Sequence, residues 1–302
     1  MDRLTLMKTY VAVAEAEGFA AAARRLGVSP PVVTRAVAQL EEHLGARLLE
    51  RTTRKVRVTE AGARYLSDCK RLLAELEDVE AAVSGAHHKP SGLLSVTASV
   101  MFGRLFVAPI LVEFLTQHPQ VTARALLLDQ VVDLIDEGLD VAVRIAHLAD
   151  STLTSAKVGA VRRVTCASPQ YLKKHGTPRA PKELGEHRCF VFSAEQSPPI
   201  WAYQQRGKAL SYRPQATLLA NSSEVGIEAA VAGAGITRAL SYMVAADVLA
   251  GRLRVILEDY EPEPIPIHVV YREGRRAPAR VRAFVDFAVG RLRAERSVRL
   301  ER

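Results

Sequence analysis

Apolar residues in the first fifteen positions of the chain recur every three or four residues. This spacing places them on one face of an amphipathic helix. The residues that share this face are Leu4, Met7, Val11 and Ala14. A second helix, rich in alanine, is predicted for Phe19–Leu26, because alanine favours helices and Gly27 is a suitable C-terminal stop.

A third helix is predicted directly after a short turn at residues 27–29. Ser29 suits the N-cap, and Pro30 suits the first helical position, where a missing N–H group costs nothing. The apolar face of this helix comprises Val33, Val37, Leu40 and Leu44. Two helices joined in this way form a helix-turn-helix unit, whose second helix places its N-terminal residues in the major groove of DNA.

Two short segments of alternating polarity, residues 47–51 and 55–58, predict a β-hairpin wing after the third helix. Arg35 is expected to reach guanine, and Thr34 a base edge or a phosphate. The full set of predicted DNA contacts is Ser29, Pro30, Pro31, Thr34, Arg35, Arg51, Thr52, Thr53 and Arg54. The alternative is a small helical bundle whose arginines are only solvated, and periodicity alone does not decide between the two.

A long helix is predicted for residues 59–84, with Thr59 as its N-cap. Apolar residues alternate spacings of three and four along it, which is the pattern of a coiled-coil seam and predicts pairing with a second copy of the chain. The seam comprises Tyr65, Cys69, Leu72, Leu76, Val79 and Val83. The alternative is a helix packed on its own domain. Residues 85–92 break the pattern with Gly, Pro and Ser and predict a hinge.

From residue 93 onward, strand-like and helical segments alternate, which is typical of a parallel α/β sheet. The predicted strands are 93–98, 121–128, 139–145, 161–167, 189–192, 217–220 and 265–271. The predicted helices are 102–115, 131–137, 169–175, 224–232 and 281–292. Two such series predict two lobes.

Ligands of open α/β folds bind beyond the C-terminal ends of the strands, beside helix N-termini. This rule selects Ser99, Val100, Met101, Leu128, Asp129, Arg144, Phe192, Ala220, Asn221 and Ser222. Ser99 and Ser222 are expected at helix N-termini that accept an anion, and Arg144 is expected to bind a carboxylate. The alternatives are that both serines only cap helices and that Arg144 pairs with Asp129.

The charge balance favours a polyanionic partner. The 302-residue chain carries a formal net charge of +8, and residues 1–58 hold ten Lys/Arg against six Asp/Glu. The N-terminal residues lack the pattern of a signal peptide. No apolar run of about 18 residues, as a membrane-spanning helix needs, is expected, so the predicted location is the cytoplasm. Cys69, Cys166 and Cys189 are widely spaced and predict neither a disulfide framework nor a zinc site. No motif for a cofactor, a metal or catalysis is found, so none of these is expected.

Three stretches of the first 62 residues resemble the N-terminal signature of LysR-type transcriptional regulators. They are GFAAAARRLGVS at 18–29, LEEHLGARLLERT at 40–52 and VTEAG at 58–62. The resemblance implies a winged helix-turn-helix at 1–58, a dimerisation helix at 59–84, a hinge at 85–92 and an effector-binding domain at 93–302. Two positions depart from the common pattern: Pro30 replaces a polar residue, often Gln, and Gly18 replaces a frequent Ser.

The resemblance also implies a sensor domain like a periplasmic solute-binding protein, with two α/β lobes joined by crossover strands near residues 160–164 and 265–269. The first lobe is then 93–160 with 268–302, and the second is 161–267. The expected function is a homodimeric or homotetrameric regulator that binds double-stranded DNA and a small-molecule effector, a small carboxylate or aromatic acid. The competing readings are a solute-binding receptor built on the same lobes and a cytoplasmic enzyme.

Overall fold

The computed structural model describes residues 1–51, 56–84, 89–130, 132–134, 136–148, 153–193, 200–272, 277–295 and 297. The chain forms two compact units, Met1–Gly92 and Leu93–Arg302. The predicted DNA contacts Thr52, Thr53 and Arg54 lie outside the described residues.

The first unit begins with three helices, α1 (Arg3–Glu15), α2 (Phe19–Leu26) and α3 (Pro30–Leu44), as the apolar spacing predicts. Gly27 and Gly45 end α2 and α3 in the left-handed conformation, with φ of +67° and +63°, which glycine adopts without strain.

A short antiparallel hairpin follows, made of β1 (Leu49–Arg51) and β2 (Val56–Val58). The carboxylate of Glu41, on α3, accepts the backbone N–H groups of Leu48 and Leu49 at 2.8 and 3.0 Å. A charge-assisted pair of this kind fixes the start of the hairpin against α3.

The long helix α4 spans Glu60–Ser84 and begins as predicted, because the Thr59 hydroxyl accepts the Gly62 N–H at 2.9 Å. The proposed dimer seam needs correction at its beginning. Cys69 is 0% exposed and packs, with half-buried Tyr65, into the core of its own unit beside α1. Tyr10 of α1 lies 5.8 Å from the Tyr65 ring. The first turns of α4 therefore serve the core of their own unit, the alternative that the spacing left open.

The second unit contains two five-stranded sheets and a two-stranded hairpin. The first sheet has the order β4-β3-β5-β14-β6, with β3 (Gly92–Ala98), β4 (Val121–Leu127), β5 (Val141–Ile145), β6 (Thr154–Val161) and β14 (Ile265–Tyr271). The second has the order β11-β8-β12-β7-β13, with β7 (Arg163–Ala167), β8 (Cys189–Phe192), β11 (Ala216–Ala220), β12 (Ile236–Leu240) and β13 (Arg254–Ile256). The hairpin is β9 (Trp201–Gln205) with β10 (Lys208–Tyr212). We call the first sheet with its helices the first lobe, and the second sheet with its hairpin and helices the second lobe.

Helices flank the sheets. They are α5 (Val100–Phe102), continued by a π-helical turn at Gly103–Val107 into α6 (Ala108–Gln117), then α7 (Pro169–His175), α8 (Ser223–Val231), α9 (Ser241–Leu249) and α10 (Ala279–Ala294). Short 3-10 turns lie at Pro181–Glu186 and Glu258–Tyr260.

The stretch Val100–Gln117 corrects one expectation, since by length and composition it is apolar enough to cross a membrane, with a mean hydropathy of 1.5. Its residues Phe102, Ile110 and Phe114 are buried in the core of the second unit. That packing gives these three apolar side chains a partner within the protein.

The sheets are mixed rather than parallel, which is a third correction. Strand β14 runs antiparallel to both β5 and β6, and β7 runs antiparallel to both β12 and β13. The reason is topological, because β6, β7 and β14 carry the chain from one lobe to the other and back. The helix predicted at 131–137 is also absent: the described residues there, 132–134 and 136–137, form no helix.

Candidate DNA-contacting surface and effector cleft

The N-terminal half of α3 presents a solvent-exposed face. Val33, Ala36, Val37 and Leu40 are fully buried in the core of the unit, which turns Arg35, Ala38 and Gln39 outward. The predicted contacts Ser29, Pro30, Pro31 and Arg35 are exposed, and Thr34 is half-buried. Among the described residues Arg35 has neither a hydrogen bond nor an ion pair recorded for its guanidinium, so this group is available to a partner.

Fewer of the predicted DNA contacts can be described in the hairpin than in α3. The backbone of Arg51 lies in β1, opposite Val56 of β2. Its side chain, like Thr52, Thr53 and Arg54, lies outside the described part of the chain. These four positions stay predictions.

A cleft of about 470 Å³ lies between the two lobes of the second unit. It is bordered by the C-terminal ends of β3, β5 and β8, where the strand-end rule places a ligand. The predicted effector contacts that line it are Ser99, Leu128, Asp129, Arg144 and Phe192.

The other five predicted effector residues do not line this cleft: Val100, Met101, Ala220, Asn221 and Ser222. Met101 is buried in the core, because the first helical turn directs its side chain away from the cleft. Ser222 is the N-cap of α8 without a side-chain cap bond, and the next residue, Ser223, lines the cleft instead.

Ser99 does not cap α5 with its side chain, contrary to the alternative reading. Instead, the Asp129 carboxylate caps α5, because it accepts a hydrogen bond from the Val100 N–H at 3.0 Å. The Ser99 hydroxyl is buried and meets no partner with hydrogen-bond geometry among the described residues, and the same holds for the Tyr242 hydroxyl. Burial raises the pKa of Tyr242, and the nearby Ser99 hydroxyl partly offsets that effect.

Among the described residues Arg144 does not pair with Asp129, which was the alternative to a ligand contact. Its Nη2 donates to the carbonyl oxygen of Val132 at 2.8 Å, whereas no ion pair between Arg144 and Asp129 is found in the described region. One carbonyl occupies only part of a guanidinium with five N–H donors. Arg144 therefore keeps donors for a ligand.

Contacts between side chains of the two lobes hold the lobes together. Tyr242, on α9, packs edge-on against Phe102 with ring centres 5.3 Å apart. Arg104 and Glu224 form an ion pair of 2.8 Å between the first and the second lobe. Surface ion pairs contribute little to stability, so the aromatic contact is the firmer of the two.

Sequence reasoning missed two arginines of the second lobe that line the cleft, Arg163 and Arg238. Arg163 begins β7, and Arg238 stands in the middle of β12. A charged residue inside the apolar run Ile236–Leu240 is a signal that the sequence did contain, since unpaired charges are rarely buried. Trp201 and Met243 add apolar surface beside them.

Comparison with known proteins gives two family matches. The model of the bacterial regulatory helix-turn-helix proteins of the lysR family matches residues 4–63. The model of the LysR substrate binding domain matches residues 87–293. Together they cover most of the chain.

Individual relatives extend over nearly the whole length. An uncharacterised HTH-type transcriptional regulator of Haemophilus influenzae is 32% identical over 281 residues, which cover 93% of this chain and 98% of that protein. An HTH-type transcriptional repressor of Pseudomonas aeruginosa is 32% identical over 291 residues, 96% of this chain and 92% of that protein. The structure of CrgA, a LysR-type transcriptional regulator from Neisseria meningitidis, aligns with a TM-score of 0.61 and 31% identity over 95% of this chain and 98% of its own.

These matches confirm the predicted fold class, a helix-turn-helix domain followed by a two-lobed α/β domain. The matched proteins regulate transcription, so the receptor and enzyme alternatives find no support among them.

Proposed function

Because the chain belongs to the LysR family of bacterial transcriptional regulators, we propose that it reads its DNA target through the exposed start of α3. The observation that carries this proposal is the exposed Arg35 side chain, which has no recorded ion-pair partner in the described region, on the second helix of a helix-turn-helix. Arg35 supplies a bidentate contact to guanine, and Thr34 a contact to a base edge or phosphate. Pro30 has no side-chain donor, so this position adds shape rather than a hydrogen bond.

The hairpin residues complete the proposed interface. Arg51, Thr52, Thr53 and Arg54 suit phosphate contacts beside the groove that α3 enters. Ser29 and Pro31 flank the base-reading residues at the start of α3. The excess of basic over acidic residues in 1–58 supports phosphate contacts by this unit, since such contacts supply most of the affinity for DNA.

Affinity is accordingly expected to fall steeply with salt. For six or more phosphate contacts, binding to a 40-bp duplex is expected to weaken about a thousand-fold between 50 and 200 mM salt. Fluorescence anisotropy of a labelled duplex measures the affinity at each salt concentration. Arg179→Ala, at an exposed arginine of the second unit, is the control and is expected to keep the wild-type dependence of affinity on salt. An affinity independent of salt would speak against binding through phosphates.

The LysR regulators act as oligomers, and we place the dimer contact of this chain on the outer part of α4. Leu72 is 44% exposed, and Leu76 is half-buried, so both remain available to a second α4. Val79 and Val83 continue the same spacing, although their side chains lie outside the described residues. A dimer brings two copies of α3 to half-sites about 34 Å apart.

The cleft between the lobes is the proposed effector site, and a small carboxylate is the proposed effector. Ser99 at the border of the cleft and the spare donors of Arg144 suit an anion. A ligand that prefers one closure of the lobes shifts the population of that state and so alters how the oligomer sits on DNA. Such a regulator works where the chromosome is, in the bacterial cytoplasm.

A further inference from the structure

The second lobe carries a pair of arginines on the cleft side of its sheet. In the antiparallel pairing of β12 with β7, Arg238 lies opposite Thr165, and Arg163 stands two residues before Thr165. Residues two apart on a strand point to the same face. Arg163 and Arg238 therefore share one face on neighbouring strands, at the diagonal distance where long side chains meet. Both line the cleft.

Neither arginine has a carboxylate partner among the described residues. Arg238 is only 8% exposed, its Nη2 donates to the Ala202 carbonyl, and its guanidinium stacks 4.3 Å from the centre of the Tyr203 ring. Its Nε is buried without a hydrogen-bond partner in the described region. The nearby carboxylate Glu261 is already paired with Arg162 at 3.3 Å.

The electrostatics of the pair are unfavourable without an anion. Burial lowers the pKa of Arg238 to about 10 and the charge of Arg163 adds to that shift, whereas Tyr203 and the Glu261 carboxylate partly oppose it. Arg163 is accessible through the cleft, yet the surrounding protein removes enough water to lower the pKa of its guanidinium as well. Two like charges held together in a desolvated wall are costly unless a counter-charge arrives.

The opposite wall of the cleft accepts an anion independently. It contains Ser99, whose buried hydroxyl lies near that of Tyr242, and Arg144 with spare donors. Among the described residues that line the cleft, three arginines face one carboxylate, Asp129, so positive charge is in excess there. Both lobes also contribute apolar side chains to the lining, Leu128 from the first lobe and Trp201 and Met243 from the second.

We propose that the effector is a dianion, an apolar body with an acidic group at each end, held by Arg163 and Arg238 on one lobe and by Arg144 and Ser99 on the other. The proposal rests on the proposed effector function of this cleft and names the ligand class. Two-ended binding joins the lobes, so the ligand favours the closed arrangement through contacts that a monoanion lacks.

Isothermal titration of the full-length chain tests this with isophthalate, terephthalate and adipate, each beside the monoanion of the same skeleton, benzoate or hexanoate. At least one dianion is expected to bind about 10- to 100-fold more tightly than its monoanion, as a second set of charge-assisted hydrogen bonds supplies. Arg163→Gln is expected to remove that margin. The matched control is Arg179→Gln, an exposed arginine of the same lobe that is absent from the cleft lining; it is expected to keep the margin.

A second measurement separates binding from structure. Because Arg163 has no recorded side-chain partner among the described residues and repels Arg238, Arg163→Gln is expected to leave the melting temperature of the unliganded protein unchanged or higher. Arg238→Gln also loses the contact with Tyr203, so Arg163→Gln is the decisive variant. A melting temperature lowered by Arg163→Gln would assign the arginine to structure and overturn the proposal.

The remaining outcomes are distinct. Dianions and monoanions that bind the wild-type chain equally, or a margin that survives Arg163→Gln, overturn two-ended binding and leave the carboxylate cleft standing. If no carboxylate of either kind binds the wild-type chain, the carboxylate effector is wrong, and the dianion fails with it.

Discussion

Replacing Arg35 with alanine is expected to weaken binding to the specific DNA target about 10- to 100-fold and to relax the base preference at one position of each half-site. Arg35 lies on the exposed face of α3, and the buried residues beside it, Ala36 and Val37, hold the helix in the unit. Truncation therefore removes a base contact without opening the core. Competition between the target and a duplex of unrelated sequence measures the loss of discrimination.

Arg179→Ala is the control for the loss of one positive charge, because this exposed arginine lies in the second unit. It is expected to leave the ratio of specific to unspecific affinity unchanged. If Arg35→Ala kept the wild-type ratio, its assignment to a base contact would be wrong, even with some loss of overall affinity.

Gly62→Ala is expected to destabilise the first unit by about 3 kcal/mol or more, at the upper end of overpacking substitutions. A Cβ at this position would lie 2.1 Å from the Leu48 carbonyl oxygen and 2.8 Å from Val58 Cγ1. The first neighbour is backbone and is fixed, since the Thr59 N–H donates to the same carbonyl at 3.0 Å. Tyr10 adds a buried hydrogen bond to the Gly62 carbonyl at 2.8 Å, so the helix cannot easily shift away.

Circular dichroism and tryptophan fluorescence together measure this effect. The single tryptophan, Trp201, lies in the second unit, so its transition is expected to stay in place while helical signal and DNA binding are lost at lower temperature. The matched control is Gly290→Ala in α10, where a Cβ meets nothing within 4 Å. Equal melting of the first unit in Gly62→Ala and wild-type protein would contradict the close approach of α4 to the hairpin.

The helices of the first unit were predictable because spacing, caps and glycine stops agree locally, as at Ser29 and Gly45. The role of α4 was not, because Cys69 satisfies a heptad seam and an intramolecular core equally well. Only the tertiary contact with α1 decides between them.

In the sensor domain, the strand-end rule located Ser99, Asp129 and Arg144, which follow or end strands of the first lobe. It missed Arg163 for a physical reason. Strand β7 runs antiparallel to β12, so the N-terminal end of β7 reaches the cleft, the opposite of what a parallel sheet requires. The hairpin β9–β10 was also missed, and with it the surface against which Arg238 stacks.

Selection of DNA from a random-sequence duplex pool, run in parallel with the wild-type chain and Arg35→Ala, tests the central claim most directly. A dimeric reader is expected to enrich an interrupted inverted repeat with half-sites centred about 10 bp, or a multiple, apart. Arg35→Ala is expected to lose the preference at the base pair that Arg35 contacts while keeping the spacing. A wild-type chain that enriched no sequence at physiological salt would contradict the account.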